Sequence, residues 1–303
     1  MTEQLKLKLN DSKATRWGAL VIVAFTMMAA YYVNDVVAPL KTMLETDLAW
    51  SSTDFGFFTG GYSFLNVFFL MLIWGGLILD RFGIRFTGKL ATILMVGGTA
   101  LEYYAMTGLA GADATLFGIN EIFGYKTGVF VAFAGYSIFG VGAEVAGITV
   151  SKIIAKWFKG KELATAMGVQ VALARIGSQA GYAVAIPLAR AFGISTPVLL
   201  GLVLLLGGMI AFFIFAVMDK KLDKQMEAAA IAAGTEDEEE KFSFKDVKNI
   251  LVNPGFWLIA LLCVLFYSCV FPFQKFASES MIIKYGINEN VAGTFAGVPA
   301  LGA

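Results

Sequence analysis

There is no histidine in these 303 residues. That removes the one side chain whose ordinary titration falls near neutral pH, and with it the commonest metal ligand. Cysteine is nearly absent too. Cys263 and Cys269 are the two, both within one apolar run and without a second ligand pair, which points to packing rather than to a metal or a disulfide. Charged residues are only 15%, balanced at 23 basic against 23 acidic. No GxxxxGK[ST] loop is present to cradle nucleotide phosphates, and no nucleophile stands beside a base. An enzyme, a metal site, a cofactor, a nucleic-acid partner and ATP-driven work are therefore not expected.

What is abundant is apolar surface: 58% of residues are hydrophobic and 14% aromatic, too much for a soluble domain of this length. Runs of roughly 20 apolar residues are the unit that spans the hydrocarbon core of a bilayer. They fall at 17–40, 55–79, 87–110, 127–151, 163–189, 194–218 and 254–279. An eighth begins near 290 and meets Ala303 too soon to cross, so the sequence reads as a fragment. The start, "MTEQLKLKLNDSKATR", is polar and has no cleavable signal pattern.

Seventeen of the lysines and arginines fall before the first run, in the second-to-third and fourth-to-fifth connections, and in 219–253; the alternate connections hold only Lys41, Lys126 and Arg190. Lysine and arginine are retained on the cytoplasmic face, so the N-terminus and 219–253 are expected inside. The organisation expected is an all-α membrane protein with a cytoplasmic tail (1–16), a six-helix half (17–218), a cytoplasmic linker (219–253) and the truncated start of a second six-helix half (254–303). The acidic run Glu236 to Glu240 reads as solvated linker. Gly56, Phe58 and Gly60 recur as Gly293, Phe295 and Gly297, an internal echo of the kind found in transporters built from repeats.

The second-to-third connection, "GGLILDRFGIR", carries Gly76, Asp80, Arg81, Gly83 and Arg85. It resembles the conserved loop of the major facilitator superfamily. Gly76 is expected to let helices approach closely, Asp80 to pair with a neighbouring arginine, and Gly83 to permit a tight turn; together they read as a conformational latch. "AEVAGITVSKIIAKWFKGKELATAMGVQVALARIGS" (143–178) and "FYSCVFPF" (266–273) are similar to the dipeptide-transporter branch of that superfamily. The resemblance implies a substrate site between two six-helix halves and uniport of dipeptides, with a preference for cationic ones.

Glu144 and Arg175 stand about equally far from the turn near Lys159, roughly 22–24 Å along their helices at 1.5 Å per residue. They are expected to face each other across a polar site. A lone charge at that depth costs about 2.5–3.5 kcal/mol, which a structural ion pair or a ligand must offset. The ligand reading gives the peptide carboxylate to Arg175 and the ammonium to Glu144, and the resemblance implies the same two positions. Asp35 and Tyr31 on the first helix, Gln179 one turn beyond Arg175, and Tyr267 on the seventh helix complete the expected lining. Glu102 lies in the outer third of the third helix, where the family more often has an uncharged residue.

The function expected is a secondary transporter of small zwitterionic or cationic peptides working by alternating access. The alternatives are a carrier of the same fold for another organic anion or zwitterion, and a non-transporting receptor or scaffold. No acidic dileucine signal stands in the N-terminal tail, because Glu3 is followed by Leu7 and then Lys8; the cell membrane is expected ahead of the lysosomal one. The sequence does not say whether an accessory subunit or a second copy is present.

Overall fold

The computed structural model describes residues 8–111, 114–233 and 249–302. The first seven residues of the expected tail and the acidic run Glu236 to Glu240 lie outside the described residues. The chain folds into helices α1 (Lys13–Val36), α2 (Lys41–Asp47), α3 (Ser52–Phe68), α4 (Met71–Thr107), α5 (Thr127–Trp157), α6 (Leu163–Phe192), α7 (Thr196–Ala233), α8 (Pro254–Tyr285) and α9 (Glu289–Gly302). A two-residue hairpin, β1 (Glu121–Ile122) with β2 (Tyr125–Lys126), lies before α5.

The helix starts have identifiable causes. Ser12 accepts a hydrogen bond from the Thr15 N–H at the head of α1. Ser51 and Asp54 form a capping box at α3, satisfying two backbone donors that a helix start leaves free. Asn253 caps α8 just ahead of Pro254, whose missing N–H costs nothing at that position.

Four stretches, Lys13–Asp47, Thr127–Trp157, Thr196–Ala229 and Pro254–Tyr285, are long and apolar enough to cross a bilayer, and α3 with α4, bent by 58°, makes a fifth. Two differences from the sequence expectation follow. The second run is itself broken at Phe69–Leu70, with Leu70 in left-handed backbone (φ 50°); Asn66 Nδ2 donates to the Tyr62 carbonyl just before the break. Helix α6 is not among the apolar spans, since Arg175, Gln170, Gln179 and Ser178 dilute it, and it packs against α1 and α9 instead. The expected division between the second and third runs falls at Gly83, inside α4, where two helices meet in non-helical backbone (φ 75°, ψ 173°) that glycine alone adopts cheaply; the two arms lie against one part of α5, Gly75 beside Val145 and Ala91 beside Gly142.

Small residues set the closest packing. Gly128, Gly135 and Gly142 recur every seventh position on α5. A methyl on them would lie 2.6, 2.6 and 2.7 Å from the carbonyl oxygens of Leu109, Gly98 and Ala91, so the backbones of α4 and α5 touch along their length.

The end of the bundle that carries the N-terminus and most of the lysines and arginines, here the basic end, is tied by ion pairs. Asp219 is fully buried, accepting from Trp157 Nε1 (3.0 Å), Lys156 Nζ (2.7 Å) and Arg85 (3.3 Å). The expected linker therefore does not begin at 219. Helix α7 continues to Ala233, as its run of strong helix formers "KQMEAAAIAA" allows. Arg16 pairs with Glu162 at 2.7 Å and Lys161 with Asp11 at 2.7 Å, which strap the first turn of α1 and the segment before it to the α5–α6 turn. The Arg16 hydrogen bond holds the Glu162 carboxyl below its ordinary pKa, and the one from Lys161 does the same for Asp11. Both contributions are present at neutral pH and are lost as pH falls through the lowered values.

Helices α6 and α8 each hold an interior proline, Pro187 and Pro272. Cys263 and Cys269, expected to pack inside, are exposed free thiols on α8. That stretch of α8 presents Trp257, Leu258, Leu262 and Phe273 outward, none covered among the described residues.

Candidate functional site

Helix α1 places Tyr31 and Asp35 four residues apart and so on one face. Around them gather side chains of α3, α5, α6 and α8. The Arg175 guanidinium lies over the Tyr31 ring, 5.7 Å from its centroid. Glu144 accepts a hydrogen bond from the Tyr62 hydroxyl at 2.8 Å. Both Glu144 and Arg175 are half-buried, and no ion pair joins them among the described residues. Arg175, Glu144, Asp35 and Tyr267 all lie within electrostatic reach of the Tyr31 hydroxyl. The acid and the arginine, expected to face each other, both act on Tyr31 but are not in contact.

One turn nearer the opposite end, Asp35 is buried at 7% exposure and accepts from Ser178 Oγ (2.6 Å) and Asn34 Nδ2 (2.9 Å). Lys275 of α8 reaches it at 3.7 Å and donates to the Asn34 carbonyl (2.7 Å) and the Tyr136 hydroxyl (3.2 Å). Gln179 donates to the Thr294 carbonyl at 3.1 Å, so it holds α9 rather than facing Arg175. Tyr267 is 43% exposed and stacks on Phe271.

At the opposite end itself, buried Lys41 donates to Glu45 (2.7 Å), Ser52 (2.9 Å) and Glu279 (2.5 Å). Arg190 pairs with Glu289 and donates to Asn290. Tyr182 donates to the Gln274 carbonyl at 2.9 Å. Those to Glu279, Glu289, Asn290 and Gln274 join the first six helices to residues 274–294, whereas α8 before residue 274 is exposed among the described residues. Among the described residues, the side-chain bonds between the two parts gather at the opposite end, which is here called the clasped end. A cavity of about 240 Å³ beside Arg190 and Glu289 includes neither Glu144 nor Arg175 in its lining.

The clasp has a measurable consequence. Hydrogen bonds to charged groups contribute about 1.5–3 kcal/mol, and of the three that Lys41 makes, the one to Glu279 crosses to α8. Lys41→Met is expected to shift the population toward forms open at the opposite end by at least about tenfold, read as faster labelling of a cysteine placed at Ile186 by a membrane-impermeant thiol reagent. Unchanged labelling would mean that these bonds do not hold that end shut.

The latch residues are arranged otherwise than expected. Asp80 pairs with Lys152 of α5 at 2.8 Å, not with an arginine, because the kink at Gly83 carries Arg85 away to Asp219 and Asp223 of α7. Arg81 lies over the Phe82 ring. Gly76 has open space where a Cβ would stand; Gly75 is the close approach, where an added methyl would lie 2.6 Å from Val145 Cγ2. A one-residue difference in helix phase, about 100°, decides which glycine faces α5.

Tyr62, Asn34, Tyr136 and Lys275 were not among the residues expected at the site. None of them stood out in the sequence: Lys275 falls four residues before the end of the seventh apolar run at 279 and reads there as a helix-end lysine.

With this arrangement in view, comparison with known proteins settles the family. The description of the Major Facilitator Superfamily matches residues 20–303. The chain belongs to the major facilitator superfamily. Among curated relatives, it is 27% identical to the lysosomal dipeptide transporter MFSD1 of Pongo abelii over 293 residues, covering 92% of this chain and 57% of the relative. The protein of the same name from Homo sapiens is 27% identical over 299 residues (94% and 58%), and that from Danio rerio 27% over 278 (88% and 54%). The chain spans little more than half the length of these relatives. It is a multi-pass membrane protein of the superfamily's fold.

Proposed function

We propose that this chain supplies the substrate clamp of a secondary transporter for small peptides, with residues 17–218 as one half and 254–303 as the start of the other. The observation that carries the reading is the pair Arg175 and Glu144: two opposite charges near one tyrosine, half-buried, without an ion pair between them among the described residues. A zwitterionic peptide completes both. Its carboxylate takes the planar fork of Arg175 and its ammonium takes Glu144, which Tyr62 holds in place. The relatives named as dipeptide transporters favour the same substrate class.

With the basic end in the cytoplasm, the clasped end faces the cell exterior or an organelle lumen. The latch loop sits at the cytoplasmic end of the first half, where its ion pairs are made and broken as the halves rock. The cell membrane and the lysosomal membrane give the same sidedness, and imaging of the tagged protein assigns one.

Thermal unfolding of the purified intact protein with added peptide tests the clamp. Free dipeptide is expected to raise the melting temperature in a dose-dependent way, with about 2.7 kcal/mol of stabilisation at a hundredfold excess over Kd. Acetylating the amine or amidating the carboxylate should each remove most of that. Equal stabilisation by simple carboxylates lacking an ammonium would replace the peptide reading with that of an organic-anion carrier.

A further inference from the structure

Glu102 of α4 is 0% exposed, and neither of its carboxylate oxygens has a hydrogen-bond partner. It is not part of the clamp. Its backbone is pressed against α5, where a methyl on Gly135 would lie 2.9 Å from the Glu102 nitrogen, so the side chain cannot turn out to lipid without separating the two helices. Lys275 of α8 acts on it electrostatically, and Glu102 and Asp35 of α1 both act on the Tyr136 hydroxyl of α5, to which Lys275 donates at 3.2 Å while lying 3.7 Å from Asp35.

Two acids therefore share one ammonium, and they do not share it equally. Asp35 has Ser178 and Asn34 as donors and Lys275 at 3.7 Å. The close hydrogen bonds of Lys275 go to the Asn34 carbonyl and the Tyr136 hydroxyl, leaving Glu102 with no direct contact. An ionised carboxylate in that position is uncompensated, and burying one is far costlier than burying the neutral acid. Lys275 is moreover borne on the helix that must withdraw when the clasped end opens. Asp35 then keeps its two donors, whereas Glu102 keeps none and meets the water that enters the parted cleft.

We propose that Glu102 is a proton-binding site linked to the docking of Lys275: the clasped form holds Glu102 as the neutral acid, and the proton exchanges with the medium at the opposite end when α8 withdraws. The step forms one O–H bond on Glu102 at the expense of a hydronium ion of that medium, and nothing else changes covalently. Acid on that side drives the molecule toward the clasped form, so the peptide cycle becomes sensitive to a pH difference across the membrane. This inference rests on the alternating-access reading above, but the proton site can be tested without any peptide.

Infrared spectra of the intact protein, recorded against pH, are expected to contain the carbonyl stretch of a buried protonated carboxyl that is missing in Glu102→Gln. In Lys275→Met the band should persist to higher pH, because the competing positive charge is gone. In parallel, with Cys263 and Cys269 replaced by serine and every labelling rate divided by that of the same cysteine in the unfolded protein at the same pH, which removes the titration of the thiol itself, a cysteine at Ile186 should be labelled faster as pH rises, by up to about tenfold per pH unit, the limit for one linked proton. Glu102→Gln should be labelled slowly at every pH. Absence of the band from the parent, a band indifferent to Lys275→Met, or a pH dependence that survives Glu102→Gln each overturns the proposal. If Glu102→Gln does not fold, the parent and Lys275→Met decide it alone. Loss of peptide binding with these results intact would instead count against the clamp.

Discussion

Arg175→Lys is expected to abolish peptide-dependent thermal stabilisation although it keeps the charge. The guanidinium already lies over the Tyr31 ring, which fixes its plane, and a planar fork can grip a carboxylate through two parallel hydrogen bonds. A lysine ammonium is a compact point charge on a flexible stem and offers no such geometry. Loss of a charge-assisted bond worth about 1.5–3 kcal/mol corresponds to a fall in affinity of about 10- to 150-fold. Glu144→Gln should fail differently. It retains the shape and the neighbouring Tyr62 hydroxyl but loses the charge that receives the ammonium, so N-acetylated peptides should be discriminated against less than by the parent, while amidated ones stay poor. If the two residues were merely a structural pair, replacing both by apolar residues would restore stability and leave peptide binding intact. Isothermal titration with the parent, both single variants and the double variant distinguishes these outcomes, and equal binding by parent and double variant would falsify the clamp.

A second large effect is expected far from the clamp. Asp219→Ala should lower stability by about 3–5 kcal/mol, the range for breaking a buried charged network by removing one member. The carboxylate is fully buried and holds Trp157, Lys156 and Arg85 together, so its loss strands an indole N–H and leaves two cations leaning on Asp223. Asp223→Ala serves as the control. Its side chain is 40% exposed, where an ion pair contributes about 0–1 kcal/mol. Melting temperatures of the two variants in one detergent compare them directly; a similar small loss in both would show that Asp219 is not the hub of the basic end.

Much of this was readable from periodicity and depth. Apolar runs located the helices because the bilayer sets their length, and counting residues from the α5–α6 turn put Glu144 and Arg175 at one level because helical rise is constant. Gly83 was readable for the same kind of local reason, since a positive φ selects glycine. What escaped were pairings between segments far apart in the chain. Asp219 looked like the first residue of a solvated linker because nothing nearby reveals that Trp157 and Lys156 arrive from α5 to meet it. Lys275 looked like a residue near a helix end, although Asn34 and Tyr136 draw it inward. Gly75 and Gly76 are adjacent in sequence and differ only in which side of the helix they occupy, and loop motifs do not report that phase. Tyr62 is one aromatic among many in "GGYSFLNVFF", and only the fold singles it out by bringing Glu144 to its hydroxyl.

Pro187 and Pro272 each stand three residues before a cation that reaches across the cleft, Arg190 and Lys275 respectively. A proline inside a helix leaves the carbonyl four residues earlier without its backbone donor, here those of Ala183 and Ser268. Each helix thus contains a compliant joint directly beneath its charged turn, and tilting that turn stretches one backbone bond fewer than in an uninterrupted helix. Stiffness against opening consequently resides in the side-chain bonds of the clasp rather than in the helices themselves. Salt and pH in the medium facing that end can therefore tune how readily the gate swings, whereas the rigid rods behind it stay the same.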